Sequence, residues 1–138
     1  MNDAVFVDTG AWIAWLYPPD ALHEKTLTLL EELQRSNRTL VTTSAVLLEV
    51  VDGLARHRMR YLSNVLRVTV ETSRQLEVVP VDAALFERGW GFFDARSDKE
   101  WSLTDCISFV VMLERGLTDA LAYDQHFAQA GFRPLLRE

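Results

Sequence analysis

A chain of 138 residues, 49% hydrophobic and 25% charged, has the composition of one ordinary globular domain spanning 1–138, able to bury roughly two thirds of its unfolded surface. Its net charge of −6 excludes a general electrostatic grip on nucleic acid, which needs clustered lysine and arginine, but not a local basic patch. One cysteine, Cys106, excludes an internal disulfide and suits a reducing compartment.

The opening, "MNDAVFVDTGAWIAWLYPP", has no basic leader, and Asp8 interrupts its apolar run well short of a spanning or signal-peptide length, which predicts a cytoplasmic protein outside the membrane. "AVFV" (4–7) is a β-favouring run, and "GAWIAWLY" has helical spacing stopped by Pro18 and Pro19. "PDALHEKTLTLLEELQRS" is an amphipathic helix with Leu22, Leu27, Leu29, Leu30 and Leu33 on its apolar side and Asp20 as its N-cap. "TLVTT" (39–43) reads as a strand, "SAVLLEVVDGLARH" (44–57) as a helix, and "MRYLSNVLRVTVETSR" (59–74) as another helix antiparallel to it. "LEVVPV" (76–81) is the third strand, before a helix, "DAALFERGWGFFDAR" (82–96), that Asp82 caps and Gly89 and Gly91 weaken. Beyond the polar loop "SDKEW" (97–101), a buried helix runs from its N-cap Thr104 to about Arg115 and ends at Gly116. "DALAY" (119–123) is the fourth strand and "FRPLL" a fifth, which Pro134 assigns to an edge. This alternation predicts the α/β class, with a mostly parallel sheet of four or five strands and helices on both faces.

Against that frame some acids explain themselves and others do not. Asp20 and Asp82 precede helices and need only N-capping. Asp8 and Asp124 each end a short apolar strand, which puts charge at the carboxyl edge of a parallel sheet, where such folds bind ligands. Glu49 sits among Val46, Leu47, Leu48, Val50 and Val51, an uncommon setting for an unpaired glutamate. Asp105 falls in the first turn of the buried helix, where the helix dipole favours its ionised form. Each has a structural alternative: Asp8 capping the first helix, Glu49 pairing with an arginine, Asp105 sharing the capping, Asp124 starting the "DQHF" turn. Two carboxylates about 4 Å apart repel by about 4 kcal/mol at an effective dielectric near 20, so four converging need a cation.

Oxygen ligands select Mg²⁺ or Mn²⁺, and His23, His57 and His126 show no metal-like spacing to one another or to Cys106, which disfavours zinc. Cys106 reads as a small buried hydrophobe rather than a nucleophile. Such a site polarises a phosphate oxygen, lowers the pKa of a water and steadies the leaving oxygen, so phosphodiester hydrolysis fits best. An aspartyl-phosphate phosphatase needs a second Asp where Gly10 stands, and a P-loop is missing. Between Arg56 and Arg74 lie five arginines (Arg56, Arg58, Arg60, Arg67, Arg74) against one acid, Glu71. That stretch is either a solvated face or a phosphate-contacting one, with Arg56, Arg58 and Arg60 the candidates for that contact.

"FVDTGAWIA", "TTSAVLLEVVDGL", "WSLTDCISFVVM" and "ALAYDQHFAQAGF", in this order, resemble the four acidic blocks of PIN-domain nucleases, and more closely the VapC-type toxins of toxin–antitoxin pairs. The resemblance runs essentially end to end and implies a three-layer PIN-like fold. It puts the metal-binding, catalytic acids on Asp8, Glu49, Asp105 and Asp124. Thr9 matches a hydroxyl residue that helps place water or phosphate, while Gly10 departs from the commoner serine. Asp98 either extends the acidic site or is a solvated turn residue. The implied activity is Mg²⁺- or Mn²⁺-dependent endoribonuclease action on structured RNA such as tRNA or rRNA, with a small cognate antitoxin and a homodimer as partners. Trp12, Trp15 and the 44–74 region either serve the dimer interface or, for the tryptophans, pack in the core. Two alternatives stand beside the toxin: a PIN nuclease of RNA processing without an antitoxin, and a catalytically silent PIN domain that binds RNA or protein.

Overall fold

The structure, a computed structural model, describes residues 3–138. In chain order it comprises β1 (Val5–Val7), α1 (Thr9–Leu16), α2 (His23–Arg35), β2 (Leu40–Thr43), α3 (Ser44–Arg56), a 3-10 turn (Arg60–Leu62), α4 (Ser63–Thr72), β3 (Leu76–Val79) and α5 (Ala83–Asp94). Then follow α6 (Leu103–Arg115), β4 (Asp119–Leu121), α7 (Gln125–Gln129), β5 (Arg133–Pro134) and a closing 3-10 turn (Leu135–Arg137).

The five strands form one sheet in the order β3-β2-β1-β4-β5, every neighbouring pair parallel. All carboxyl ends therefore share one edge. Val5, Phe6 and Val7 of the central strand are all buried although successive side chains point to opposite faces, so both faces are covered. Pro134 lies in β5 at the sheet edge, as its missing N–H requires. β3 stops at Val79, before Pro80.

Helix boundaries follow local chemistry, and three differ from the sequence reading. Asp20 does not cap α2: its Oδ1 accepts the Leu22 N–H at 2.8 Å, an Asx turn that competes with helix initiation, so α2 starts at His23. The helix expected over 59–74 begins as a 3-10 turn and becomes α-helical only at Ser63. α6 is capped by Ser102 rather than Thr104. Ser102 Oγ accepts the Asp105 N–H at 3.0 Å and Asp105 Oδ2 accepts the Ser102 N–H at 3.3 Å, a reciprocal capping box. Asp82 does cap α5, and Gly116 ends α6 at φ 66°.

α6 is the buried helix that its run of apolar residues predicts, and Phe109 at its middle meets the rings of Phe127, Trp101 and Phe132 at 5.0, 5.1 and 5.6 Å. Gly89 is the reason α5 lies so close to α6: a Cβ there would fall 2.4 Å from Ile107 Cγ1. The residue that weakens α5 as a helix makes its packing possible. Trp12 is buried and Trp15 half-buried, joined edge to face at 5.8 Å, so the two tryptophans belong to the packed interior. Among the described residues no helix is long and apolar enough to cross a membrane.

Candidate acidic active site

β1 delivers Asp8 to the carboxyl edge. Its backbone N–H donates to the Leu121 carbonyl at 3.1 Å, tying the residue to the end of β4, and its side chain makes no capping bond to α1. The carboxyl is therefore free of the structural task assigned to it as an alternative. It is 8% exposed, and its pKa is pushed up to about 7. Burial is the largest cause; the Thr9 backbone amide opposes it, and the charges of Asp105, Glu49 and Asp124 each push it higher. All three other acids thus act on this one carboxyl.

Glu49 comes from the second turn of α3, which starts directly after β2, with Thr43 Oγ1 accepting the Val46 N–H at 3.1 Å. It is half-buried rather than enclosed, because its neighbours Leu48 and Val51 are 63% and 40% exposed. Its partner is the Thr9 hydroxyl, which donates to Glu49 Oε1 at 2.5 Å, and no arginine. Asp105 is held in the first turn of α6 by the capping box and is nearly buried. Burial raises its pKa, opposed by hydrogen bonds from His126 and the Ser102 amide, while the charge of Asp124 adds to the rise. Asp124 does start the turn expected of it, its Oδ1 accepting the His126 N–H at 2.9 Å, and it still faces the other acids.

His126 is the member that spacing among histidines and cysteine did not find. Its Nδ1 lies 3.1 Å from Asp105 Oδ2 and 3.2 Å from Asp124 Oδ1. Asp105, Asp124 and His126 each offer one ligand atom, all within 4.8 Å of one another. The available signal was Asp-x-His at a helix start, which turns the imidazole back toward its own cap.

Other candidates lie elsewhere. Asp98 is exposed in the turn after α5, 3.4 Å from Lys99. Gly10 is exposed and adds no polar group. Arg58 and Arg60 are exposed in the turn after α3, and Arg67 pairs with Glu71 at 2.9 Å. Arg56 lines a groove that Glu49 also borders. Cys106 is buried, its thiol pushed up to about 11 by burial and then by the charge of Asp105, which removes it as a nucleophile. Asp105, Asp124 and His126 gather ligand atoms that could hold a cation, while Asp8 and Glu49 lie outside that close cluster, Asp8 feeling Glu49, Asp105 and Asp124 through their charge.

A parallel sheet with acids at its carboxyl edge is an α/β fold with a candidate acidic site, and residues 5–133 match the PIN domain, so the chain belongs to the PIN-domain family, in its VapC-type branch. It is 31% identical over 128 residues to the 23S rRNA-specific endonuclease VapC20 of Mycobacterium tuberculosis, covering 93% of this chain and 95% of that one. The crystal structure of that protein, described as a sarcin–ricin loop cleaving toxin, matches with a TM-score of 0.79 at 30% identity, again over 93% and 95% of the two chains. VapBC2 from Rickettsia felis, bound to a promoter DNA fragment, shares the fold with a TM-score of 0.71 at 13% identity, covering 95% of this chain and 96% of that one.

Proposed function

We propose that this chain is a divalent-cation-dependent endoribonuclease and the toxin of a toxin–antitoxin pair, acting in the cytoplasm on structured RNA. The observation that carries the reading is the buried Asp8 carboxyl, at about 7, on which three further carboxylates act at the carboxyl edge of the sheet. Similarity to an endonuclease specific for 23S rRNA favours ribosomal over transfer RNA.

In this reading Asp8, Glu49, Asp105 and Asp124 hold Mg²⁺ or Mn²⁺. A cation so held supplies a lowered pKa for a water and neutralises charge growing on the phosphate oxygens. The protein groups do the rest. The His126 ring, the Ser102 amide and the positive end of α6 oppose the upward push that burial gives the Asp105 carboxyl. His126 keeps Asp105 and Asp124 side by side, and the Thr9 hydroxyl fixes the rotamer of Glu49. Arg56 is positioned to steady a phosphate at the groove beside Glu49. The exposed Leu48, Val51, Val65 and Val68 on α3 and α4 supply an apolar surface for a second copy or for an antitoxin.

The test is cleavage of total RNA by the purified chain in Mg²⁺ or Mn²⁺, with ends mapped, and by Asp8→Asn. Activity is expected to fall by about 10²–10³ in the variant, the scale of losing one main stabiliser of transition-state charge. Full activity in Asp8→Asn would sink the mechanism. Metal binding without any cleavage would favour the silent binding module, and growth arrest that no neighbouring gene relieves would favour a nuclease without an antitoxin.

A further inference from the structure

A groove of about 700 Å³ runs beside the acids, lined by Leu48, Glu49, Arg56, Val81, Phe86 and Thr104, among others. Its size falls in the range of small-molecule sites, about 300–1,000 Å³. It is continuous with the acidic site: Glu49 borders both, and Thr104 directly precedes Asp105. RNA with a phosphate at the acids can therefore lay a neighbouring nucleotide in this groove.

We propose that the groove holds an unpaired nucleobase of the RNA, stacked on the Phe86 ring, with Arg56 holding the adjoining phosphate. The proposal rests on the endoribonuclease reading and names which part of the substrate is recognised. Charge decides between base and backbone. Among the described residues, Glu49 and Asp52 line the groove against the single cation Arg56, so a phosphate is favoured only beside Arg56, whereas an uncharged base is at home against Leu48, Val81 and Phe86. At a net charge of −6 the chain gains little from phosphate contacts overall, and the missing affinity has to come from contacts that are not ionic. Stacking is such a contact, and it needs an exposed aromatic face. Phe86 is 39% exposed, and Trp90 meets it edge to face at 5.5 Å and 69°, which fixes its orientation. The base must be unpaired, because paired bases in an RNA duplex hide their faces in the stack.

The test measures binding of two RNA oligonucleotides, a hairpin with an unpaired loop and a fully paired duplex, to Asp8→Asn protein by fluorescence anisotropy. Asp8→Asn/Phe86→Ala is expected to bind the hairpin about 5- to 100-fold more weakly and the duplex unchanged. Phe86→Leu, which keeps apolar volume without a ring, should behave like the alanine variant, and Phe86→Trp should restore binding. In the cleaving protein, Phe86→Ala raises KM and leaves Mn²⁺ affinity unchanged. Equal hairpin binding by all four, or equal losses on hairpin and duplex, overturns the proposal. So does a shift in sedimentation with RNA binding intact, which would make the aromatic patch a protein interface. Absence of cleavage by wild type refutes the nuclease reading instead, a separate result.

Discussion

β4 carries an aspartate near each end, and the fold treats them in opposite ways. Asp119, at the start of the strand, is 3.1 Å from Arg38 and 3.8 Å from Arg133, so its charge is matched by two guanidinium groups. Asp124, just past the other end, pairs among the described residues only with the imidazole of His126, 3.2 Å away, and shares its surroundings with three more acids. Among the described residues, no lysine or arginine forms an ion pair with Asp8, Glu49, Asp105 or Asp124. One edge of the sheet spends its charges on holding strands together. The other gathers acids that no described lysine or arginine pairs with, which marks it as the candidate site.

The largest expected effect tests that edge. Asp8 has a folded-state pKa of about 7 against an ordinary value of 3.8, so the folded protein binds this proton more tightly than the unfolded chain does. The stability that comes from keeping the carboxyl neutral is complete below about pH 4 and is lost as pH rises through about 7. At about 1.4 kcal/mol per pH unit the gap is worth about 4 kcal/mol, shared in practice among the coupled acids. In EDTA, urea denaturation of the wild type should show stability falling between about pH 4 and 7 and levelling above that, while Asp8→Asn falls less steeply, because Asp105 is still pushed up by burial, and is about 2–4 kcal/mol more stable at pH 8. Parallel curves for the two proteins would mean that burial, with the neighbouring charges, does not hold the Asp8 carboxyl neutral. Mg²⁺ should raise the stability of the wild type at pH 8 and do little for the variant.

Asp119→Ala probes the opposite edge. Its side chain and that of Arg38 are 14% and 26% exposed, so removing the carboxylate leaves a largely buried guanidinium without its main partner. A loss of about 2 kcal/mol is expected, seen as a lower thermal midpoint, with RNA cleavage per folded molecule unchanged. Cleavage that falls while stability holds would erase the distinction between the two edges.

What the sequence made legible follows the physics that is local. The alternation of strand and helix and the burial of α6 come from apolar patterning, and the placement of Asp8 and Asp124 follows from parallel topology once two strand ends are recognised. Neighbouring polar residues were harder to separate. Ser102 and Thr104 both suit an N-cap, and the choice turned on which of them stands three residues before an acid able to reach back, which is Ser102. Asp20 suits a cap or an Asx turn equally, and only the path of the chain after Pro19 selects the turn. The setting of Glu49 was misjudged because apolar neighbours on a helix need not face inward, as the exposed Leu48 shows. Gly89 reads as a helix-weakening residue until Ile107 is placed against it.

His126 is the plainest case of a contact that spacing does not encode, and it carries the smallest effect. It reaches Asp105 across 21 positions and Asp124 across two, so counting intervals between histidines and cysteine could not connect it to a site made of carboxylates. Its ring lies between two acids that repel each other, and it holds both in position from the side. His126→Ala should therefore weaken Mn²⁺ binding by about tenfold, the lower end of what losing an orienting partner costs. Isothermal titration of Mn²⁺ reads this without relying on cleavage. His126→Asn, whose amide can still donate to one carboxylate, should recover part of the loss. If alanine instead leaves Mn²⁺ affinity intact and abolishes a preference for Zn²⁺, the imidazole is itself a ligand, and the site is softer than its four acids suggest.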